Sequence, residues 1–66
     1  MLIGIVTEWD ATAWVGSIES DSQKYIVKRQ NMRRGTTLKV GDAVQFLPVN
    51  LFEGPTAQNV HVISPK

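Results

Sequence analysis

The chain has 66 residues, which suits one small domain with a thin margin of stability, because so short a chain buries only about 60% of its unfolded surface. It contains no cysteine and a single histidine, His61, which excludes disulfides, thiolate metal sites and histidine-rich metal sites. Its formal net charge of +1 gives no strong overall attraction to acidic partners. We therefore predict a fold held by packing alone, with no cofactor and no bound metal.

Neither a membrane span nor a signal peptide is predicted. No segment approaches the roughly 18 consecutive apolar residues that a span requires. The apolar start of the chain, 1–6, has no basic region before it, and Glu8 and Asp10 follow closely. These features and the absence of cysteine favour the cytoplasm, and they predict no membrane contact by this segment.

Five strands separated by turns are predicted in chain order, and no convincing helix. The first, 2–9, is rich in β-branched and aromatic residues. The other four are expected at 14–19, 24–28, 43–49 and 58–63. Short polar residues at 20–23 predict a turn, 50–56 is expected to be a loop, and the tail 64–66 is expected to be frayed.

Alternation along the strands predicts which side chains share a face. Parity places Trp14 with Gly16 and Ile18 on the inward face of the second strand. The later strands give the pairs Tyr25 and Val27, Val44 and Phe46, and Val60 and Val62, and Leu38 is the expected core anchor of the irregular segment before the fourth strand. Five strands in one short domain predict a barrel or a sandwich, and a barrel is favoured because closure removes exposed edges.

Charge is segregated along the chain. Residues 1–23 carry four acidic side chains and no Lys or Arg. Residues 24–34 carry no acid and five of the seven basic side chains, namely Lys24, Lys28, Arg29, Arg33 and Arg34. Such a patch can bind anions even when the total charge is near zero. The alternative is a solvated basic face that balances the acidic first strands.

Five segments spread along nearly the whole chain resemble the cold-shock domain family, namely 4–6, 9–10, 16–18, 38–46 and 54–60. The most specific is 54–60, which matches the pattern Gly-Pro-x-Ala-x-Asn-Val. Segment 38–46 resembles the approach to the family's fourth strand, and 4–6 resembles its first strand. The resemblance implies a five-stranded antiparallel Greek-key barrel of the oligonucleotide-binding type over residues 1–66, and single-stranded RNA or DNA as the partner.

The same resemblance implies that the family's aromatic platform is depleted in this chain. Glu8 stands where the family has an exposed tryptophan on its first strand. Positions of other aromatic or histidine residues of the two ribonucleoprotein motifs are occupied by Val15, Ser17, Ile26, Lys28 and Arg29. Binders of this kind stack bases on exposed rings, each stack worth about 1–3 kcal/mol. Binding by this chain is therefore expected to be weak.

Two tryptophans near these positions, Trp9 and Trp14, could rebuild the platform if they reach the outer face. The alternative is that Trp9 fills the core and Trp14 caps the barrel end, since buried rings mostly serve packing. Basic side chains beside them could pair with phosphate. The candidate nucleic-acid-binding residues are Trp9, Trp14, Val15, Ser17, Lys24, Ile26, Lys28, Arg29, Arg33 and Arg34.

Catalysis is not expected, because no serine has a plausible histidine partner and no phosphate-binding loop is present. His61 is expected at the surface. The leading hypothesis is weak, low-specificity binding of single-stranded RNA or DNA. The alternative is a protein-interaction or structural module that lost its ligand, for which Ile3, Ile5, Leu47 and Val49 form the candidate apolar surface. The resemblance also allows an N-terminal module of a longer protein, in which case the whole protein could be membrane-associated.

Overall fold

Residues 1–63, described by a computed structural model, form a closed five-stranded β-barrel, as the sequence predicts. The strands are β1 (Leu2–Asp10), β2 (Val15–Ser20), β3 (Gln23–Lys28), β4 (Ala43–Leu51) and β5 (Gly54–Val62). A single 3₁₀ turn, Arg29–Asn31, follows β3. The predicted frayed tail, 64–66, lies outside the described residues. Within 1–63 no helix has the length and apolar character needed to cross a membrane.

The strands are ordered β1-β2-β3-β5-β4, and β4 closes the barrel by pairing with β1. This order is consistent with an oligonucleotide-binding type of barrel. The antiparallel pairing that the sequence predicts is present in four of the five strand pairs, and the exception is the β3–β5 pair, which is parallel through Ile26 and Thr56. Strands that are not joined by a hairpin have no connection that forces them to run in opposite directions.

The predicted loop at 50–56 is also wrong. β4 continues to Leu51, β5 begins at Gly54, and only a two-residue turn separates them. Gly54 makes this tight turn possible because it takes a φ of 117°, a conformation that a residue with a Cβ rarely adopts. The hairpin therefore carries its tip residues, Phe52 and Glu53, beyond the end of the sheet.

The core lies where the strand alternation predicts it. Its fully buried members are Val6, Ile18, Val27, Val44, Phe46, Ala57 and Val60. Tyr25 packs on it from the rim, with its ring 5.0 Å from that of Phe46, and Leu38 anchors the 32–42 segment with only 5% of its surface exposed. The core is thus built from aliphatic residues around one phenylalanine, and the chain has no cysteine that could support it with a disulfide.

The predicted turn at 20–23 joins β2 and β3. Its two central residues, Asp21 and Ser22, both have positive φ, 55° and 66°. Positive φ at both central positions defines a type I′ turn, whose twist matches that of the flanking strands. β2 and β3 therefore stay in register along their whole length, from Ser20 opposite Gln23 to Val15 opposite Lys28.

Candidate nucleic-acid interface

The loop between β1 and β2, 11–14, is shaped by the carboxylate of Asp10. One oxygen of that carboxylate, Oδ1, accepts hydrogen bonds from the backbone N–H groups of Thr12 and Ala13, at 2.9 and 3.1 Å. The carbonyl oxygen of Asp10 accepts a third from the N–H of Trp14, at 2.7 Å. Aspartate commonly organises turns in this way. Asp10 therefore positions Trp14.

Trp14 is a turn residue, so the prediction that it opens the second strand on its inward face is wrong. Its φ is 58°, in the left-handed region, which is a genuine outlier for a bulky side chain. A residue in this conformation leaves the two-residue alternation of a strand, and parity therefore fails. The backbone strain is of the order of 1–2 kcal/mol, and strain of this kind is concentrated at functional sites.

The two tryptophans and Arg29 form one contiguous stack at this end of the barrel. The indole of Trp14 meets that of Trp9 edge-on, with centroids 6.1 Å apart and an interplanar angle of 74°. The guanidinium carbon of Arg29 lies 4.9 Å from the Trp14 ring centroid, within cation–π range. Both indoles are half-buried, and Trp9 also packs on the core. The structure thus falls between the two alternatives of full exposure and full burial.

A cavity of about 270 Å³, here called the loop pocket, lies on one side of this stack. Its lining is Trp14, Arg29, Met32, Arg33, Arg34, Gly35, Thr36 and Thr37. Among residues 1–63, this lining holds three guanidinium groups and no carboxylate. The three arginines of the basic window are therefore gathered around one concave surface, whereas its two lysines lie elsewhere.

A wider cavity of about 600 Å³, here called the strand groove, lies over β1, β2 and β3. Its lining is Glu8, Trp9, Asp10, Val15, Gly16, Ser17, Ile26 and Lys28. Trp9, Val15 and Ile26 give it an apolar surface, while Glu8 accepts a hydrogen bond from the hydroxyl of Ser17 at 3.3 Å. The groove therefore combines an apolar surface with two carboxylates.

The candidate binding residues fall into three groups. Trp9, Val15, Ser17, Ile26 and Lys28 line the strand groove, and Trp14, Arg29, Arg33 and Arg34 line the loop pocket. Lys24 lines neither cavity, because it lies at the opposite end of β3, across from Glu19. Nine of the ten candidates are thus brought to one end of the barrel.

The ammonium group of Lys28 is not a free charge in this groove. Its Nζ lies 2.7 Å from a carboxylate oxygen of Glu53, at the tip of the β4–β5 hairpin. Both side chains are about 40% exposed, so the pair contributes at most about 1 kcal/mol to stability. Among residues 1–63, Lys28 is the one basic residue that lines the strand groove, and the carboxylate of Glu53 offsets its charge.

His61 is half-buried, not a surface residue as expected, and its Nδ1 is buried without a hydrogen-bond partner within residues 1–63. It lies on β5 opposite Gln45, outside both cavities that hold the candidates. In the described part of the chain, no cluster of three or more His, Asp or Glu side chains could hold a metal ion.

Sequence reasoning did not identify the residues that position the site. Asn31 accepts a hydrogen bond from the N–H of Lys28 at 3.1 Å and thereby fixes the 3₁₀ turn that carries Arg29. Asn59 accepts one from Nε of Arg33 at 3.2 Å. The role of Asn31 could have been predicted, because an asparagine lies there beside a run of basic residues. The bond between Arg33 and Asn59 has no local sequence signal, since the two residues are 26 positions apart.

A scan against models of known protein families finds no match to this chain, and a search of curated proteins finds no matching relative.

Proposed function

We propose that this protein binds single-stranded RNA or DNA, weakly and with low base specificity, as a cytoplasmic binding module that is a divergent relative of cold-shock domains. The observation that carries the proposal is the stack of Trp9, Trp14 and Arg29 between an apolar groove and a basic pocket. Single-strand binders combine these two elements, an aromatic surface for bases and basic groups for the backbone. The proposal includes no catalytic step.

Weak binding follows from the composition of the two cavities. Each base stacked on a ring contributes about 1–3 kcal/mol, and the site offers only the exposed parts of two indoles. The carboxylates of Glu8 and Asp10 repel phosphates from the strand groove. Low specificity follows as well, because stacking and charge do not distinguish one base edge from another.

Titration of the protein with short single-stranded oligonucleotides tests this proposal. Trp9 and Trp14 are the two tryptophans of the chain, and both line the site, so indole emission reports on it directly. We expect emission to change on addition of thymine or adenine homo-oligonucleotides, whether their sugar is ribose or deoxyribose. The dissociation constants should differ little among these oligonucleotides. The affinity should fall with salt at a slope of about −0.7 per contacted phosphate. Emission unchanged by every oligonucleotide at low salt would refute the proposal.

A second candidate function, a protein-interaction module, is favoured by an apolar row on the outer face of β1 and β4. Ile3, Ile5 and Leu47 are 61%, 46% and 47% exposed, and the register of β1 with β4 places them on the same side. Val49, the fourth residue expected in this row, is half-buried. Such a row marks interaction surfaces when its residues are contiguous.

Charged substitutions in this row separate the two functions. If the row is a protein interface, the double variant Ile3→Lys, Ile5→Lys should no longer retain a stoichiometric protein partner from nuclease-treated extract, because two ammonium groups would enter the contact. Its oligonucleotide titration should match that of the unmodified protein, since neither residue lines the strand groove or the loop pocket. Loss of oligonucleotide binding in this variant would instead extend the nucleic-acid surface to the apolar row on β1 and β4.

A further inference from the structure

The two cavities on either side of the tryptophan stack differ sharply in charge. The loop pocket is lined by the guanidinium groups of Arg29, Arg33 and Arg34 and by no carboxylate. The strand groove is lined by two carboxylates and by one ammonium group, which is already paired with Glu53 at 2.7 Å. A phosphate is therefore attracted to the first cavity and repelled from the second, although both adjoin the same pair of indoles.

Two of the three guanidinium groups are held in place before any ligand arrives. Arg29 donates its backbone N–H to the carbonyl oxygen of Trp14 at 3.0 Å, and its guanidinium lies over the Trp14 ring. Arg33 donates its backbone N–H to the carbonyl oxygen of Val60 at 3.0 Å and its Nε to Asn59. Ordering long side chains in advance lowers the entropy cost of binding.

The remaining wall of the loop pocket is a tight turn. The N–H of Thr36 donates to the carbonyl oxygen of Arg33 at 3.0 Å, and Gly35 takes a φ of 82°, as glycine does in type II turns. Arg34 is thereby presented at the tip of the turn, beside the hydroxyls of Thr36 and Thr37. Hydroxyl groups and guanidinium forks are the groups that proteins use to bind phosphate.

The two cavities also differ in size and in lining. The loop pocket, at about 270 Å³, is the smaller and is open to solvent. The strand groove, at about 600 Å³, is the larger of the two and has the apolar lining that suits bases.

We propose that the loop pocket is the phosphate site of this protein: one phosphodiester of a bound single strand pairs there with Arg33 and Arg34, while the adjoining base lies over Trp9 and the strand groove. This inference rests on the proposed function and deepens it. It divides the ligand between two cavities, with Trp14 at the boundary, and it assigns the salt dependence of binding to the turn that follows β3.

The variant Arg34→Gln tests the phosphate site, with Lys39→Gln as its matched control. Each removes one positive charge from an exposed position, but only Arg34 lines the loop pocket. We expect Arg34→Gln to weaken oligothymidylate binding roughly three- to tenfold at low salt and to reduce the salt slope by about 0.7. Lys39→Gln should leave both quantities within experimental error. Equal effects of the two variants would overturn the pocket and leave the proposed function standing.

Inorganic pyrophosphate provides a probe that does not depend on strand binding. In amide chemical-shift titrations, we expect it to move the signals of Gly35 and Thr36 and to leave those of the β2–β3 turn in place. Such shifts together with an absence of oligonucleotide binding would show an anion site in the loop pocket but refute the proposed function, and with it the assignment of this site to the phosphodiester of a strand. If neither pyrophosphate nor an oligonucleotide moves these amides, the phosphate site is refuted, and the tryptophan titration decides the proposed function separately.

Discussion

Gly16→Ala is expected to destabilise the barrel by more than about 3 kcal/mol, because overpacking in a core typically costs about 1–3 kcal/mol and here the added methyl group would meet backbone atoms that cannot rotate away. A methyl group at Gly16 would overlap the carbonyl oxygen of Glu8 and would lie 2.9 Å from Cε3 of Trp9. A domain of this size has a total stability of roughly 3–10 kcal/mol. Urea unfolding followed by tryptophan emission measures the loss.

The control for this prediction is Gly35→Ala. A methyl group at Gly35 has no atom within 4 Å, so the variant suffers only the strain of a positive φ, about 1–2 kcal/mol. The two alanine variants thus separate backbone strain from steric overlap. If the two variants unfolded at the same urea concentration, β1 and β2 would be able to move apart at Gly16. The absence of a side chain at Gly16 would then no longer explain how Trp9 packs so closely against it.

The strand pattern was sufficient to predict the barrel. Val6, Ile18, Val27, Val44, Phe46 and Val60 alternate with outward residues, and all six are fully buried. Alternation is reliable here because each strand has one face buried in the core and one face exposed to solvent. A register shift of one residue would therefore turn the core side chains towards solvent. Leu38 could be identified for a related reason, as the one large apolar residue within an otherwise polar segment, 33–39.

Which residues line the two cavities could largely be predicted from the sequence, but how they are arranged in space could not. The position of Trp14 depends on a left-handed residue, and neither glycine nor asparagine marks that position in the sequence. The signal that the sequence does contain is Asp10, because aspartate at the start of a short loop favours a turn. In the structure its carboxylate indeed accepts two backbone hydrogen bonds of that loop. The alternation pattern predicts Trp14 on a strand because it reflects only neighbouring residues. It contains no information about the hydrogen bond from the backbone N–H of Arg29 to the carbonyl oxygen of Trp14.

The charge of the site depended on a contact between distant parts of the chain. Lys28 belongs to the basic window, and the sequence predicts it as a phosphate contact. Closure of the barrel brings Glu53 against it from 25 residues away, at 2.7 Å. The basic window is thereby divided: its three guanidinium groups, which form no ion pair within residues 1–63, line the loop pocket, whereas the ammonium group of Lys28 is paired with Glu53 at the strand groove. Composition along the chain contains no information about such a division.

Trp14→Gly is expected to weaken oligonucleotide binding by about 1–3 kcal/mol, roughly 5- to 150-fold in the dissociation constant, while leaving the barrel folded. The substitution removes the ring at the boundary of the two cavities, and with it the surface on which Arg29 lies. It also relieves the backbone, because glycine adopts a φ of 58° without strain. That relief offsets the lost contact with Trp9, so we expect an unfolding midpoint near that of the unmodified protein.

Ser22→Gly is the matched control for Trp14→Gly. It removes a side chain from another residue with positive φ, 66°, in the β2–β3 turn and outside both cavities. It should stabilise the fold slightly and leave the affinity for oligothymidylate unchanged. Fluorescence anisotropy of a labelled oligonucleotide measures binding for both variants, because the tryptophan signal is itself altered in one of them. If Trp14→Gly bound as tightly as Ser22→Gly, the strained indole would have no part in the ligand site, and its conformation would need another cause.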